Sequence, residues 1–476
     1  MATLDLSKYT IYRLRYILGY TLIGLLLAGL LVFVGVYLPG GLSAAEMTAV
    51  VRSSTLSLSD PSTLAITNLP YYGLQALILN TFGITIFTIK LPSLILALLS
   101  AVGVILLLRR WFKPNIAVLT SLIAITTGQF LFIAQQGAPG ILYVFWPVVL
   151  LLLGTQITRG KKFRLLWKVL FAISAALSLY TPLSIYPLVA IALATVLHPH
   201  LRNAVRKLSK VRLTAVLIIF LAVLAPLVYG IIINPQLGLT LLGVPAVLPL
   251  DLGANSLIVL KQYFAFWQPG TSALMTPVFG LGSVILILLG VYRIIRTRET
   301  TRSYLIIIWV VCLAPVLLFN PAFTSVTFVP SMLLLAAGLT SLIGYWYRLF
   351  PLNPYARITG LIPIVILVFA LSVSGLARYV YGYHYSPNQA SLFSKDLALL
   401  PKDTKEIIVS NDQRDFFEAV AKYRTNITVV SQPTADMFVV TRDARQAFEG
   451  YTVSRIITNS HTNDSDRLYI YKKTAN

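Results

Sequence analysis

Eleven apolar segments separated by Lys and Arg clusters constrain the fold of this chain more than any other feature. In a chain that is 57% hydrophobic and 11% charged, they lie at residues 16–38, 87–108, 116–134, 141–157, 169–181, 184–197, 213–232, 278–295, 303–319, 329–346 and 358–376. A helix needs roughly 20 apolar residues to cross a bilayer. We therefore predict an α-helical polytopic membrane protein with about 11 transmembrane helices, in which 16–38 is an uncleaved anchor.

The basic residues predict the orientation of these helices. Residues 1–390 contain 26 Lys and Arg but five carboxylates, whereas 391–476 contain 12 basic and 11 acidic side chains. With the N-terminus in the cytoplasm, 22 of the 26 basic residues face the cytoplasm, as the positive-inside rule requires. The net charge of +22 is therefore a topology signal, and nucleic acid is not an expected partner.

Two long segments, 39–86 and 233–277, are predicted to lie outside the membrane. The first includes an apolar stretch, 69–82, which we expect to form an interfacial or re-entrant helix, since a crossing there would invert every later loop. After residue 385 the composition becomes that of a soluble domain. Strand patterns at 406–410, 427–431, 437–441 and 467–471 and an amphipathic helix at 412–424 predict a small α/β extracytoplasmic domain at 386–476.

The segment 39–93 is where we expect chemistry. Glu46 fits a general base that accepts a proton from an acceptor hydroxyl, although a Glu at this place in a helical pattern also stabilises a helix N-terminus. Arg52, Lys90 and Lys261 are the basic residues expected on the outer side before Arg378. They fit contacts to an anionic group such as a phosphate, or alternatively to lipid headgroups.

Polar and aromatic residues complete the candidate set. Asn68, Tyr71 and Tyr72 can hydrogen-bond a sugar or anchor a loop at the interface. The isolated His384 and His461 lack a second ligand at metal spacing, so we predict neither a metal nor another cofactor.

Four short motifs give this segment a recognisable order and spacing. They are AAEM at 44–47, NLPYY at 68–72, TFG at 81–83 and KLPS at 90–93. The pattern resembles that of GT-C fold glycosyltransferases, which include protein O-mannosyltransferases and aminoarabinose transferases. The resemblance implies a GT-C-like transmembrane domain at 1–385, with outer loops 39–86 and 233–277, in the plasma (inner) membrane.

The resemblance also implies roles and departures at single positions. Ala45 stands where the family has the Asp that usually acts as base, Asn68 where many relatives have His, and Lys90 where they have Arg. Gln135 and Gln136 occupy a place where an Arg and an Asp often sit, and imply polar contacts to a sugar.

The function implied by the resemblance is transfer of a sugar from a polyprenyl-phosphate carrier to an acceptor glycan, lipid or protein on the outer face of the membrane. Membrane lipids are the other expected partners. Two alternatives remain open at this point. One is a catalytically inactive GT-C relative that binds lipid-linked glycans as an accessory subunit, and the other is a transporter of lipid-linked sugars.

Overall fold

A computed structural model gives the fold of residues 10–37, 40–57, 59–159, 163–206, 210–245, 251–266, 278–349, 355, 359–384, 392–424, 426–458 and 467–474. The first 384 residues are mostly helical, and a small sheet follows. The predicted domain boundary near residue 385 and His461 lie outside the described residues.

The helices before residue 384 run in chain order as α1 Thr10–Tyr37, α2 Ala44–Ser54, α3 Leu69–Phe82, α4 Ile86–Trp111, α5 Pro114–Thr126, α6 Gly128–Gln135, α7 Leu142–Arg159, α8 Arg164–Ser178, α9 Ile185–Leu197, α10 Pro199–Arg206, α11 Lys210–Ile233, α12 Pro235–Leu242, α13 Leu252–Phe264, α14 Leu281–Arg296, α15 Thr301–Phe319, α16 Phe328–Leu349 and α17 Leu361–Tyr379. Short 3₁₀ turns at Pro61–Leu64, Pro139–Ile141 and Pro321–Thr327 connect some of them. Each of the eleven apolar segments of the sequence overlaps at least one of these helices.

The protein is a multi-pass membrane protein, but fewer helices than eleven have the length of a full crossing. Among the described residues, six helices are long and apolar enough to span a bilayer, and a seventh span results if α5 and α6, bent by 60°, are counted together. Helices α8 and α9 have 15 and 13 residues, which is short for a core about 30 Å thick. The count of eleven and the orientation stay predictions.

Helix α4 lies at the centre of the bundle. It packs against α1, α3, α5, α6 and α7. In its most apolar 18-residue stretch 67% is buried inside the protein, against 17% in the corresponding stretch of α11. Helices α14 and α16 cross where Gly290 meets the backbone at Leu334 and Gly338 meets the backbone at Leu286. A side chain at either glycine would push these helices apart, as is common for small residues at membrane helix contacts.

Residues 40–82, which we call the outer segment after their predicted side of the membrane, fold as a helical pair on α4. Helix α3 corresponds to the predicted apolar stretch 69–82 and packs between α2 and α4. Asn68, at its N-terminus, has a left-handed backbone with φ of 58°, and Asp60 accepts a hydrogen bond from the backbone N–H of Ser62 at the start of the turn before it.

The C-terminal part contains helices α18 (Asp396–Leu399) and α19 (Asn411–Tyr423) and strands β1 Glu406–Ile408, β2 Thr428–Val429, β3 Met437–Thr441, β4 Tyr451–Thr458 and β5 Arg467–Lys473. The sheet order is β2-β1-β3-β5-β4, with β1 parallel to β2 and β3, and β5 antiparallel to β3 and β4. Strand β4 was not predicted. It is an edge strand with no fully buried residue, so its sequence lacks the alternation of a half-buried strand.

The C-terminal sheet region packs directly on the outer segment. Leu42 and Ser394 exchange backbone hydrogen bonds, and α19 contacts α2. Lys422 donates a hydrogen bond to the carbonyl of Ser54, at the end of α2. One apolar cluster joins residues of both parts, with Leu42 and Val50 on one side and Phe417 on the other. The position of α2 therefore depends on the C-terminal region.

Candidate functional site

Glu46, Lys90 and Gln135 meet in the interior between α2, α4 and α6. Lys90 Nζ lies 3.5 Å from Glu46 Oε1 and donates a hydrogen bond of 2.7 Å to Gln135 Oε1. All three side chains are fully buried. Three residues selected from sequence, which are up to 89 positions apart, thus form one buried polar cluster.

Hydrogen bonds from two directions hold the Glu46 carboxylate in place. Ser43 and Glu46 form a capping box at the start of α2, in which Oε2 accepts a 2.6 Å hydrogen bond from the backbone N–H of Ser43. Oε1 accepts a 2.6 Å hydrogen bond from the backbone N–H of Gly137. The carboxylate is therefore bound by two backbone donors as well as by the Lys90 ammonium.

Gly137 is the residue that brings the segment after α6 close enough for this contact. A Cβ at Gly137 would lie 2.8 Å from the carbonyl oxygen of Ile89 on α4, closer than real Cβ contacts allow. The carbonyl of Gly137 also accepts a hydrogen bond from Gln75 Nε2 at 3.2 Å. Gly137 therefore connects α2, α3 and α4 through its backbone.

A second buried network runs parallel to the first. Gln75 Oε1 accepts a 2.6 Å hydrogen bond from Ser53 Oγ, and Gln75 Nε2 donates to the carbonyl of Ile89 at 3.1 Å. The hydroxyls of Tyr71 and Ser93 are 2.8 Å apart. Burial raises the pKa of Tyr71, so this phenol stays protonated and acts as a hydrogen-bonding group.

The Glu46 cluster is chemically a positioning device in this conformation. Both carboxylate oxygens are occupied by backbone N–H groups, the charge is balanced by Lys90, and Glu46 has an exposed fraction of 0%. In this conformation the Glu46 side chain holds α2 against α4 and the Gly137 segment.

Arg52 marks the exposed edge of the same region, and Tyr72 lies buried next to it. The Arg52 side chain is exposed and its Nη1 donates to Tyr72 Oη at 3.5 Å. Burial raises the pKa of Tyr72, and the adjacent Arg52 charge opposes this shift. Asn68 lies at the start of the same helix, and its buried Oδ1 has no hydrogen-bond partner among the described residues. An exposed guanidinium thus lies beside a buried phenol, with a buried amide at the start of the same helix as the phenol.

Aromatic residues of the later outer segments lie near this edge. Tyr143 on α7 is half-buried and interacts electrostatically with Tyr72, and its ring contacts Phe323 with centroids 6.0 Å apart. Tyr263 on α13 shares a 2.5 Å hydrogen bond with Thr327, and burial raises its pKa to about 12. These rings extend the Arg52 edge towards the segment 321–327.

Lys261 and Gln136 lie apart from the Glu46 cluster. Lys261 is exposed on α13, a helix whose polar contacts lead to Leu318, Pro321 and Thr327. Gln136 is half-buried at the C-terminus of α6, where its backbone N–H donates to Phe132. The described residues contain no group of three His, Cys, Asp or Glu side chains suited to a metal ion.

Sequence reasoning missed Gly137, Gln75 and Ser53. The signal for Gly137 is its place in AQQGAPG, between a pair of polar residues and a proline, where a helix ends and a close backbone approach is common. Gln75 and Ser53 carry no such signal, because a single polar residue on an apolar helix predicts burial with a partner but does not name the partner.

The fold resembles that of known glycosyltransferases. The chain matches the ArnT protein of Cupriavidus metallidurans, whose structure contains undecaprenyl phosphate, with a TM-score of 0.52 and 11% identity over 96% of this chain and 98% of that one. It also matches the oligosaccharyltransferase of Archaeoglobus fulgidus, tethered to an acceptor peptide, with a TM-score of 0.52 and 14% identity over 88% of this chain.

The oligosaccharyltransferase AglB from Archaeoglobus fulgidus, in complex with an inhibitory peptide and a dolichol-phosphate, gives a TM-score of 0.52 at 13% identity, over 91% of this chain and 70% of that one. The chain spans 64% of the length of the peptide-tethered oligosaccharyltransferase. No protein-family model matches the sequence, and no curated protein matches it. At these identities the likeness concerns the fold, and it confirms the GT-C resemblance of the sequence motifs at that level.

Proposed function

Since the chain has the fold of the GT-C glycosyltransferases, we propose that it is a membrane glycosyltransferase that takes a sugar from a polyprenyl-phosphate carrier. The acceptor is a glycan, lipid or protein on the outer face of the membrane. The observation that carries the proposal is the match over nearly the full length of both chains to a protein whose structure contains undecaprenyl phosphate.

In the proposed reaction, an acceptor oxygen or nitrogen forms a bond to C1 of the donor sugar. The bond between C1 and the phosphate oxygen breaks, its electron pair stays on that oxygen, and polyprenyl phosphate leaves, while the proton of the acceptor passes to a base. Negative charge develops on the leaving phosphate, so a fixed cation close to it lowers the barrier.

Arg52 is the residue that we assign to the phosphate. Its guanidinium is exposed, it is held at the edge by Tyr72, and it belongs to α2, which the Glu46 cluster fixes in place. Arg is well suited to this role because its planar group donates two parallel hydrogen bonds to phosphate oxygens. Tyr72 and Asn68 then lie close enough to the same edge to contact the sugar.

Lys90, Gln135 and Glu46 act in the proposal as positioning residues behind the substrate edge. Their ion pair and hydrogen bonds join α2 to α4 and to the Gly137 segment, so they determine where Arg52 and Tyr72 lie. Tyr71 supports the same arrangement through Ser93. Gln136 and Lys261 have no assigned part in this arrangement.

The test is release of free carrier by purified full-length protein in lipid, supplied with radiolabelled polyprenyl-phosphate hexoses. We expect wild-type release to fall at least about tenfold in Arg52→Gln, the loss of one charge-assisted contact. Arg414→Gln is the matched control, because Arg414 is another exposed Arg and its ion pair is to Glu418, outside the site. No release from any donor, together with measurable donor binding, would contradict the transferase proposal.

A further inference from the structure

A cavity lies at the end of the bundle opposite to the Glu46 cluster. Its volume is about 650 Å³, and it is lined by the second half of α7, the first turns of α8, α11 and α15, the end of α9, and α10. Helix α4 runs from one site to the other. Lys90 lies near its start, and Trp111, which lines the cavity, lies at its end. At 1.5 Å per residue they are about 30 Å apart along the axis.

Lys168 is the most informative side chain of this cavity. It lies in the first half of α8 with an exposed fraction of 8%, and it lines the cavity. Its ammonium has no hydrogen bond or ion pair with any residue that the structure describes. The stem of Lys168 is buried, and its ammonium opens into a cavity whose walls are largely apolar. An anionic group in the cavity would supply the charge partner that Lys168 lacks among the described residues.

Other donors face the same space. The start of α15, at Thr300, Thr301 and Arg302, lines the cavity, so the positive end of a 19-residue helix is directed towards it. Arg302 donates a 2.6 Å hydrogen bond to the carbonyl of Trp111 and lies over the ring of Phe112. His200 adds an imidazole. None of the described lining residues is an Asp or Glu.

Most of the rest of the cavity wall is apolar. Leu150, Leu151, Ile157, Phe171, Leu201 and Leu305 line it. The adjoining faces of α9 and α11 expose further large apolar side chains, including Val196, Leu197, Leu213 and Leu217. Hydrocarbon chains can follow these faces out of the cavity, whereas a small soluble anion would leave the apolar wall uncovered.

We propose that this cavity binds an anionic phospholipid, with its phosphate at Lys168 and the start of α15 and its acyl chains along α9 and α11. The proposal does not depend on the glycosyltransferase assignment, because the two sites lie at opposite ends of α4. The predicted topology places this cavity at the cytoplasmic leaflet, where basic residues meet anionic headgroups.

The experiment is native mass spectrometry of the full-length protein titrated with phosphatidylglycerol, with phosphatidylcholine of the same acyl chains, and with glycerol phosphate. We expect one phosphatidylglycerol to bind more tightly than phosphatidylcholine. Lys168→Gln should weaken that binding about tenfold, the loss of one charge-assisted contact. Lys113→Gln is the matched control, since Lys113 is an exposed Lys that does not line the cavity.

A second variant tests the cavity by filling it. A Cβ at Gly154 would meet Phe171 at an ordinary 3.9 Å, so Gly154→Leu is expected to fold and to project its side chain into the lipid space. It should lower phosphatidylglycerol binding without changing any charge. Equal binding of both phospholipids, undiminished binding by both variants, or glycerol phosphate binding as tight as that of phosphatidylglycerol would overturn the proposal.

Discussion

Glu46 and Lys90 form an ion pair in which neither side chain has any solvent exposure, with Oε1 and Nζ 3.5 Å apart. The two residues lie at the starts of α2 and α4, so the pair joins the outer segment to the central helix of the bundle. Removing one partner of a buried pair leaves an uncompensated charge, which costs about 3–5 kcal/mol. The pair therefore makes a prediction about stability that is separate from catalysis.

Glu46→Gln and Lys90→Met are each expected to lower the apparent Tm of the protein in detergent by several degrees. The double variant should be more stable than the sum of the two single effects predicts, because neither charge is then left alone. The measurement is a thermal unfolding curve for all four proteins, followed by intrinsic fluorescence. Additive effects would mean that the two side chains do not interact energetically.

Gly137→Ala is expected to disturb the site without removing any functional side chain. The new Cβ would meet the Ile89 carbonyl at 2.8 Å, so the Gly137 segment must shift and weaken its hydrogen bond to Glu46. Overpacking of this kind costs about 1–3 kcal/mol. We expect a lower Tm and reduced carrier release.

Gly140→Ala is the control for that variant. It lies three residues away, and its Cβ would contact Gln136 Oε1 at an ordinary 3.7 Å. We expect carrier release and Tm close to those of the wild type. Equal losses in the two variants would show that the segment is sensitive to any added methyl group and that the Ile89 contact is not special.

The helical part of the fold was predictable because long apolar runs and Lys/Arg clusters report directly on burial in lipid. Each apolar segment overlaps a helix, and the motifs at 44–47 and 90–93 supply the two members of the central ion pair. Helix ends were less predictable. Thr127 separates α5 from α6 by a 60° bend with no Pro or charge to indicate it.

The sequence motifs supply members of the Glu46 cluster, but they do not give its arrangement. The capping box that binds Glu46 Oε2 to the N–H of Ser43 is local, whereas the hydrogen bond to Oε1 comes from Gly137, 91 positions away. Similarly, β4 was not predicted, because its pairing with β5 makes it a strand while its own residues show no alternation of buried and exposed positions. Long-range partners decide both cases, and a single sequence does not name them.

The stability of the C-terminal sheet is expected to depend on pH through Glu406. Burial raises the pKa of this carboxyl, but hydrogen bonds from the Thr434 side chain and from the N–H groups of Ala435 and Thr434 outweigh it, so the net pKa lies below 4.5. A lowered folded-state pKa gives stability that is present above the unfolded value and is lost as pH falls through the folded value.

Amide hydrogen exchange at Ile407 and Val439, measured between pH 6 and pH 3 and corrected for intrinsic rates, should show this loss below about pH 4.3. Glu406→Gln should flatten the pH dependence. Glu418→Gln is the control, since that carboxyl is exposed and paired with Arg414. The same pH dependence in wild type and Glu406→Gln would assign the acid sensitivity to other groups.

Ala45→Asp tests whether the site lacks a base. Ala45 is exposed in the first turn of α2, beside the buried Glu46, and stands where the GT-C relatives indicated by the sequence motifs carry Asp. The helix N-terminus favours a carboxylate there, and the exposed position leaves that carboxylate free to accept a proton from the acceptor substrate. A general base contributes about 10²- to 10⁴-fold, so we expect carrier release to rise at least about tenfold.

Ala44→Asp is the control for that variant. It adds the same charge to an exposed neighbour that points about 100° away around the helix, and should leave carrier release unchanged. An equal rise in both variants would assign the effect to charge at the helix terminus, and no rise in Ala45→Asp would mean that the native reaction already has its base elsewhere.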